Sequence, residues 1–113
     1  MKKKTGASKS LAGMYYITWM EQWDQDFVNE ETQGYFRFGK ESRGDFHFGF
    51  VQGEMDCSYV EREGMPAVEF SWEGHNECNP ATGRGWAVLD SDELTGQVSF
   101  HFGDESAFKA KRK

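Results

Sequence analysis

A run of donor side chains lies in the second half of the 113-residue chain. His75, Glu77 and Cys78 fall within four residues of one another, and Arg84 follows in the same stretch. Imidazole, carboxylate and thiolate groups are all metal donors, so these three side chains could hold a metal ion. Their spacing matches no recognised metal site, however, and a solvated loop restrained by Pro80 is the better interpretation. The sequence therefore predicts neither a metal site nor a cofactor.

Recognised catalytic motifs are absent from the sequence. It has no Gly-x-Ser-x-Gly elbow, P-loop, dinucleotide fingerprint, His-Glu-x-x-His or Cys-x-x-Cys pair. Asp104 and Glu105, which follow Gly103, are typical of a polar turn that bonds its own backbone rather than of a catalytic acid. Nothing singles out one carboxylate pair among the 19 acidic residues. We therefore favour a protein that is not an enzyme.

Aromatic residues are in surplus. Ten Phe, four Trp and four Tyr make up 16% of the chain, although hydrophobic residues amount to only 37%. Rings that exceed the needs of a narrow core could surround a mouth, where Trp and Tyr suit a ligand with an apolar body and a polar end. We expect Trp23, Trp72 and Trp86 to bind such a ligand together with His75 and Arg84. Packing of these indoles in the core is the alternative.

Alternation of apolar and polar residues from Gly13 onward predicts β-strands, because successive side chains of a strand point to opposite faces. The predicted strands are Met14–Gln22, Gly34–Gly39, Gly44–Val51, Glu54–Arg62, Pro66–Glu73, Trp86–Leu89, Leu94–Phe102 and Ser106–Lys111. Phenylalanines share one face in each of three strands: Phe36 with Phe38, Phe46 with Phe48 and Phe50, and Phe100 with Phe102. The longest irregular stretch is predicted at Gly74–Gly85. The segment after the first strand is predicted to cap an open end, with Phe27 and Val28 as its plug.

Short turns between these strands predict an all-β fold: a single antiparallel meander of about eight strands closed into a small barrel. Closure also removes the exposed edges of an aromatic sheet. If the polar rows faced inward instead, His47 and His101 would line a wet cavity, as a small enzyme of hydrolase or isomerase type would require. Burial is worth roughly 25 cal/mol per Å² of apolar surface, so about ten rings favour the interior.

Charge is unevenly distributed along the chain. The net charge is −6, but eight of the 13 basic residues lie near the ends: Lys2, Lys3, Lys4, Lys9, Lys109, Lys111, Arg112 and Lys113. Residues 1–12 are predicted to be a flexible basic tail, and residues 13–111 the barrel domain. The body between the basic ends is strongly acidic, which repels nucleic acid and anionic membranes.

Nucleic-acid binding is nevertheless an alternative function. The segments GDFHFGFV and VSFHF are faintly similar to the aromatic motifs on which some sheets stack bases. In a closed meander the first and last strands are neighbours, so the two basic ends could form one patch. The acidic residues beside these rings disfavour this alternative, and an unknown small molecule or protein is the expected partner of a monomer or homodimer.

The sequence predicts a cytoplasmic location. The basic start of the chain is not followed by the apolar run of a signal peptide, and no stretch approaches the length of a membrane span. Cys57 and Cys78 would remain reduced in the cytoplasm.

The layout over residues 13–111 resembles the up-and-down barrels of the avidin and lipocalin type, the calycin-like folds. The first strand carries Trp19, and the closing segment GDESAFKAKRK is similar to the way avidin-type chains end. The segments FSWEG, GRGWA and FHFGDES also resemble a family of small bacterial proteins. These resemblances imply a fold and no particular activity.

Overall fold

The computed structural model describes residues 10–113, so most of the predicted basic tail, residues 1–9, lies outside the described part. The strands are β1 (Gly13–Met20), β2 (Tyr35–Phe38), β3 (Arg43–Phe48), β4 (Val51–Arg62), β5 (Met65–Asn76), β6 (Asn79–Asp90), β7 (Glu93–Phe100) and β8 (Glu105–Arg112), with a short helix α1 (Gln25–Val28) after β1. Each strand pairs antiparallel with the next, and β8 pairs with β1 to close a barrel. The predicted all-β meander of eight strands is confirmed.

Aromatic rings fill the barrel interior. The ring of Phe36 stacks on that of Phe108 with centroids 4.3 Å apart, and the ring of Phe46 lies 5.1 Å from both Phe36 and Trp72. The side chains of Phe36, Phe46 and Phe108 are at most 1% exposed. The phenylalanine rows of β2 and β3 therefore face inward as predicted, and the alternative with inward polar rows is wrong.

Glycine residues make room for these rings. A Cβ atom at Gly53 would lie 2.6 Å from the ring of Phe46, and one at Gly85 would lie 2.5 Å from the ring of Phe70. Both distances are too short for real side chains. The strands can therefore coil closely around large rings only because these two positions carry no side chain.

Helix α1 covers one end of the barrel. Asp24 caps it, because its carboxylate accepts a 2.9 Å hydrogen bond from the backbone N–H of Phe27. The side chain of Val28 is fully buried, and the ring of Phe27 packs against those of Trp23 and Phe50. The structure thus confirms that Phe27 and Val28 plug an open end.

The residues just before β1 cover the opposite side of the interior. Leu11 is fully buried, and its carbonyl oxygen accepts a 2.7 Å hydrogen bond from the hydroxyl of Tyr15. The guanidinium of Arg112 donates to the carbonyl oxygens of Ser10 and Ala12. Residues 10–12 are therefore packed against the barrel, while the predicted division into a tail and a domain stays a prediction.

The predicted irregular stretch at Gly74–Gly85 is wrong. Strand β5 continues to Asn76 and β6 begins at Asn79, so only a tight turn separates them. Gly74 and Gly83 occupy positions where a Cβ would lie within 2 Å of a neighbouring carbonyl oxygen. Because glycines replace apolar side chains along this part of the hairpin, no alternation was visible in the sequence.

Three aromatic side chains lie outside the inward rows of the barrel. A register shift between Ile17 and Trp19 turns Trp19 outward, where it is 45% exposed. Phe50 lies in the turn after Gly49, whose positive φ of 57° ends β3 before the predicted boundary. Phe102 lies beyond the end of β7 and is 97% exposed, so its predicted place in a row with Phe100 is wrong.

Substitutions of two phenylalanines, one in β8 and one in the turn before it, test this architecture. Phe108→Ala should lower the free energy of unfolding by about 3–5 kcal/mol, because it opens a cavity among stacked rings. Phe102→Ala removes an exposed ring and should change it by no more than about 0.5 kcal/mol. Chemical denaturation followed by circular dichroism measures both values. Equal effects of the two substitutions would contradict the arrangement of the core.

Candidate functional site

The five predicted site residues do not come together. Trp72 is an interior ring, 3% exposed, whose indole N–H donates to the carbonyl oxygen of Ser99 at 3.1 Å. Trp23 packs at the α1 end of the barrel, with its ring 5.2 Å from that of Phe48. His75 lies exposed near the β5–β6 turn, where its Nδ1 is 2.9 Å from the carbonyl oxygen of Glu77. The predicted site is thus divided among four regions, the fourth of which contains Trp86 and Arg84.

Trp86 and Arg84 point outward from β6 into an open groove of about 1000 Å³. This outer groove crosses β5, β6 and β7 and ends at the turn between β7 and β8. Its polar wall residues are Ser71, Thr82, Arg84, Gln97, Ser99 and Glu105, and its aromatic ones include Trp86, His101 and Phe102. The buried Trp72 lies behind it. The groove therefore unites two of the predicted residues at an accessible surface.

The indole of Trp86 is held on the outer wall by a cation. The guanidinium of Arg62 lies 4.8 Å from the centroid of the Trp86 ring, and its Nη2 is 3.4 Å from a carboxylate oxygen of Glu69. A cation over one face of an indole is attracted by the ring quadrupole. The ring is thereby positioned at the groove, where Trp86 is only partly buried.

The opposite wall of the groove is the turn at residues 101–104. Phe102 has a positive φ of 59°, and its ring lies 4.0 Å from that of His101. Backbone hydrogen bonds hold the turn in place: the N–H of His101 donates to the carbonyl of Thr82, and that of Phe100 donates to the carbonyl of Asp104. Sequence reasoning missed Phe102 as a surface residue, since it extends the alternation of β7.

Such a groove offers both aromatic and polar groups to a ligand. Two exposed or half-exposed rings stand at its sides, and the hydroxyls of Ser71 and Ser99 lie between them with the Arg84 guanidinium. This combination suits a ligand that has a flat apolar part and an anionic or hydrogen-bonding part.

The interior holds thiol and phenol groups but, among residues 10–113, no buried histidine or carboxylate. Burial, and to a smaller extent the nearby carboxylate of Asp56, raise the pKa of Cys57 to about 12. Burial also raises the pKa of Tyr59, whose hydroxyl donates to the carbonyl of Gly39. The enclosed His or carboxylate that the enzyme alternative required is thus not found in the described part of the chain.

His75, Glu77 and Cys78 do not form a metal site in the structure: within residues 10–113, no three His, Cys, Asp or Glu side chains are placed to hold a metal ion. No helix in the described range is long and apolar enough to cross a membrane. Comparisons of the chain with protein-family models, curated proteins and solved structures found no match.

The buried thiol makes stability depend on alkaline pH. The thiol of Cys57 ionises near pH 9 when unfolded but keeps its proton up to about pH 12 when folded. The contribution of this thiol to the free energy of unfolding is therefore constant below pH 9, and it should fall as the pH rises from 9 towards 12. Cys57→Val, which keeps a buried apolar side chain, should weaken this fall just above pH 9.

Urea unfolding at a series of pH values measures the effect. The raised pKa values of Tyr15 and Tyr59 destabilise the fold at still higher pH, so the comparison belongs just above pH 9. Cys78→Ser, at an exposed position, is the matched removal of the other thiol and should keep the wild-type profile. Identical profiles for wild type and Cys57→Val would contradict the prediction.

Proposed function

We propose that the protein is a non-enzymatic binding module whose ligand lies in the outer groove, between Trp86 and Phe102. The observation that carries this proposal is the exposure of Phe102, which is 97%. A bulky residue with positive φ costs about 1–3 kcal/mol and persists where the surrounding structure enforces it. Here a hydrogen-bonded turn holds the ring out of the core and beside a groove. This arrangement supports a role of the ring in binding a ligand.

The filled interior supports a ligand site on the outside. Eight-stranded barrels can either hold one small ligand or fill their interior with side chains. In this barrel Phe36, Phe46 and Phe108 are at most 1% exposed and contact one another through Phe36. A ligand inside would have to displace these rings, whereas the outer groove requires no rearrangement of the core.

The chemistry of the groove indicates an amphipathic ligand, either a small molecule or a segment of a protein. Trp86 and Phe102 would contact its apolar part. Arg84 supplies a guanidinium that recognises a carboxylate or a similar anion, and Ser71 and Ser99 supply hydroxyl groups. Trp23 and His75 have no part in this proposal, because they lie in other regions of the molecule. Trp72 borders the groove but is buried behind it.

We also propose that the chain is related to the avidin and lipocalin type of barrel and to small bacterial proteins, and that it acts in the cytoplasm. The closed eight-stranded meander supports the relationship to these barrels.

The positions of the two cysteines support the cytoplasmic location. Cys57 pairs with Phe70 on β5, six residues before that strand ends, so Cys57 and Cys78 are about 20 Å apart along the strand. They are too distant for a disulfide.

Substitutions at the groove test the proposal. Native mass spectrometry of freshly purified protein identifies a co-purifying ligand, and calorimetry with a metabolite library or candidate peptides supplies an affinity. Trp86→Ala and Phe102→Ala should each weaken binding by at least about tenfold, as expected when a central ring is removed. Arg84→Ala should weaken the binding of anionic ligands more than that of neutral ones.

Arg43→Ala, an exposed arginine on β3, is the matched control and should leave the affinity unchanged. A ligand that binds the Trp86→Ala/Phe102→Ala double variant as tightly as the wild type would overturn the assignment of the groove. A clean mass with no binding from any library would count against the function as a whole.

A further inference from the structure

A bulge in β1 places an indole beside a lysine on the outer wall. The register shift between Ile17 and Trp19 turns the Trp19 side chain outward while Met20 returns to the core. Trp19 then lies across from Lys109 of β8, whose Nζ is 5.9 Å from the centroid of the indole ring. Trp19 is 45% exposed, so the ring remains accessible.

A second aromatic ring lies beside a second lysine further along the same two strands. Tyr16 lies across from Lys111 on one side and from Tyr35 of β2 on the other. Lys109 and Lys111 project from the same side of β8, about 6.8 Å apart, because they are two residues apart in a strand. We call the outward side chains of Tyr16, Trp19, Lys109 and Lys111 the basic face.

Closure of the barrel places the lysines of β8 opposite the most acidic strands. Strands β1 and β2 contain no acidic residue, and β8 contains one, Glu105, at its start. Among the strands, β4 and β5 carry the most acidic side chains, at Glu54, Asp56, Glu61, Glu69 and Glu73. Five further acidic residues follow β1 in residues 21–31. In a closed ring of eight strands, β5 lies opposite β1. The basic face therefore looks away from the acidic side of the molecule.

The distance across the barrel limits the influence of the acidic side. The shorter extents of the molecule are 26 and 20 Å, whereas charges are largely screened beyond about 10 Å at 0.1 M salt. A partner at β8 and β1 thus experiences the local lysines more than the net charge of −6. Two carboxylates border the face: Glu93 lies across from Lys111, and Glu21 accepts a hydrogen bond from the N–H of Ala107.

We propose that the basic face binds single-stranded nucleic acid. Proteins that bind single strands combine aromatic rings, on which bases stack, with cations that follow the phosphates. Trp19 and Tyr16 supply the rings here, and Lys109 and Lys111 supply the cations. An acidic peptide would leave the exposed indole unexplained, and an anionic membrane would favour several protruding apolar side chains rather than one.

The residues of the basic face differ from those that the aromatic strand motifs suggested for binding nucleic acid. Phe46 and Phe48, in the segment GDFHFGFV, are at most 1% exposed, so they cannot stack on bases. The rings of the basic face come instead from β1, and the cations from β8.

Fluorescence anisotropy with labelled oligo-dT and oligo-U longer than about 16 nucleotides tests the proposal on the full-length chain. Affinity should fall as salt rises from about 50 to 200 mM. Lys109→Gln/Lys111→Gln should weaken binding and reduce the slope of log K against log salt by about 0.7 for each phosphate that is no longer neutralised. Lys40→Gln/Arg43→Gln removes the same charge from exposed positions of the β2–β3 hairpin and should bind as the wild type does.

Trp19→Ala should weaken binding about five- to hundredfold, and Trp19→Phe should restore most of it, because a smaller ring still stacks. Circular dichroism checks that each variant is folded. The proposal is overturned if no oligonucleotide binds, if both charge variants lose affinity equally, or if the protein prefers vesicles containing phosphatidylserine over oligonucleotides. The substitutions at Trp19, Lys109 and Lys111 leave Trp86 and Phe102 untouched, so the outcome is independent of the proposed function.

Discussion

Large aromatic rings must fit inside a narrow barrel, and this requirement shapes the rest of the molecule. Phe36 joins the rings of Phe46 and Phe108 into one contact cluster, and the strands pass close to the rings only where Gly53 and Gly85 remove a Cβ. Each buried ring contributes about 1.5–3 kcal/mol. The aromatic and polar rows therefore cannot exchange faces, and recognition of a partner is left to the outer wall.

Pairing of the first strand with the last has an electrostatic consequence. It brings the lysines at the end of the chain beside β1, which has no charged residue, while the acidic strands β4 and β5 lie on the far side. The net charge of the whole chain does not show this difference between the two sides of the barrel. Net charge argued against an anionic partner, whereas the arrangement of charge leaves one side of the barrel open to it.

Both proposed surfaces arise where the regular strand pattern is interrupted. A bulge exposes Trp19, and a left-handed residue in a turn exposes Phe102; these are the two large apolar side chains that are exposed within residues 10–113. Exposing such rings gives up burial free energy, and departures from local rules are expected at functional sites. The two surfaces use different strands, and neither requires a change in the core.

The sequence by itself determined the all-β class, the eight strands, the inward phenylalanines and the plug at Phe27 and Val28, because alternation and turn residues are local signals. It did not reveal that Gly74–Gly85 is mostly strand, since glycines there replace the apolar side chains that mark an inward row. Only the tertiary structure decided which rings reach the surface and which candidate residues meet. Trp72 and Trp86 belong to different faces, and Trp19 lies beside Lys109, because bulges, register and barrel closure depend on pairing between distant segments.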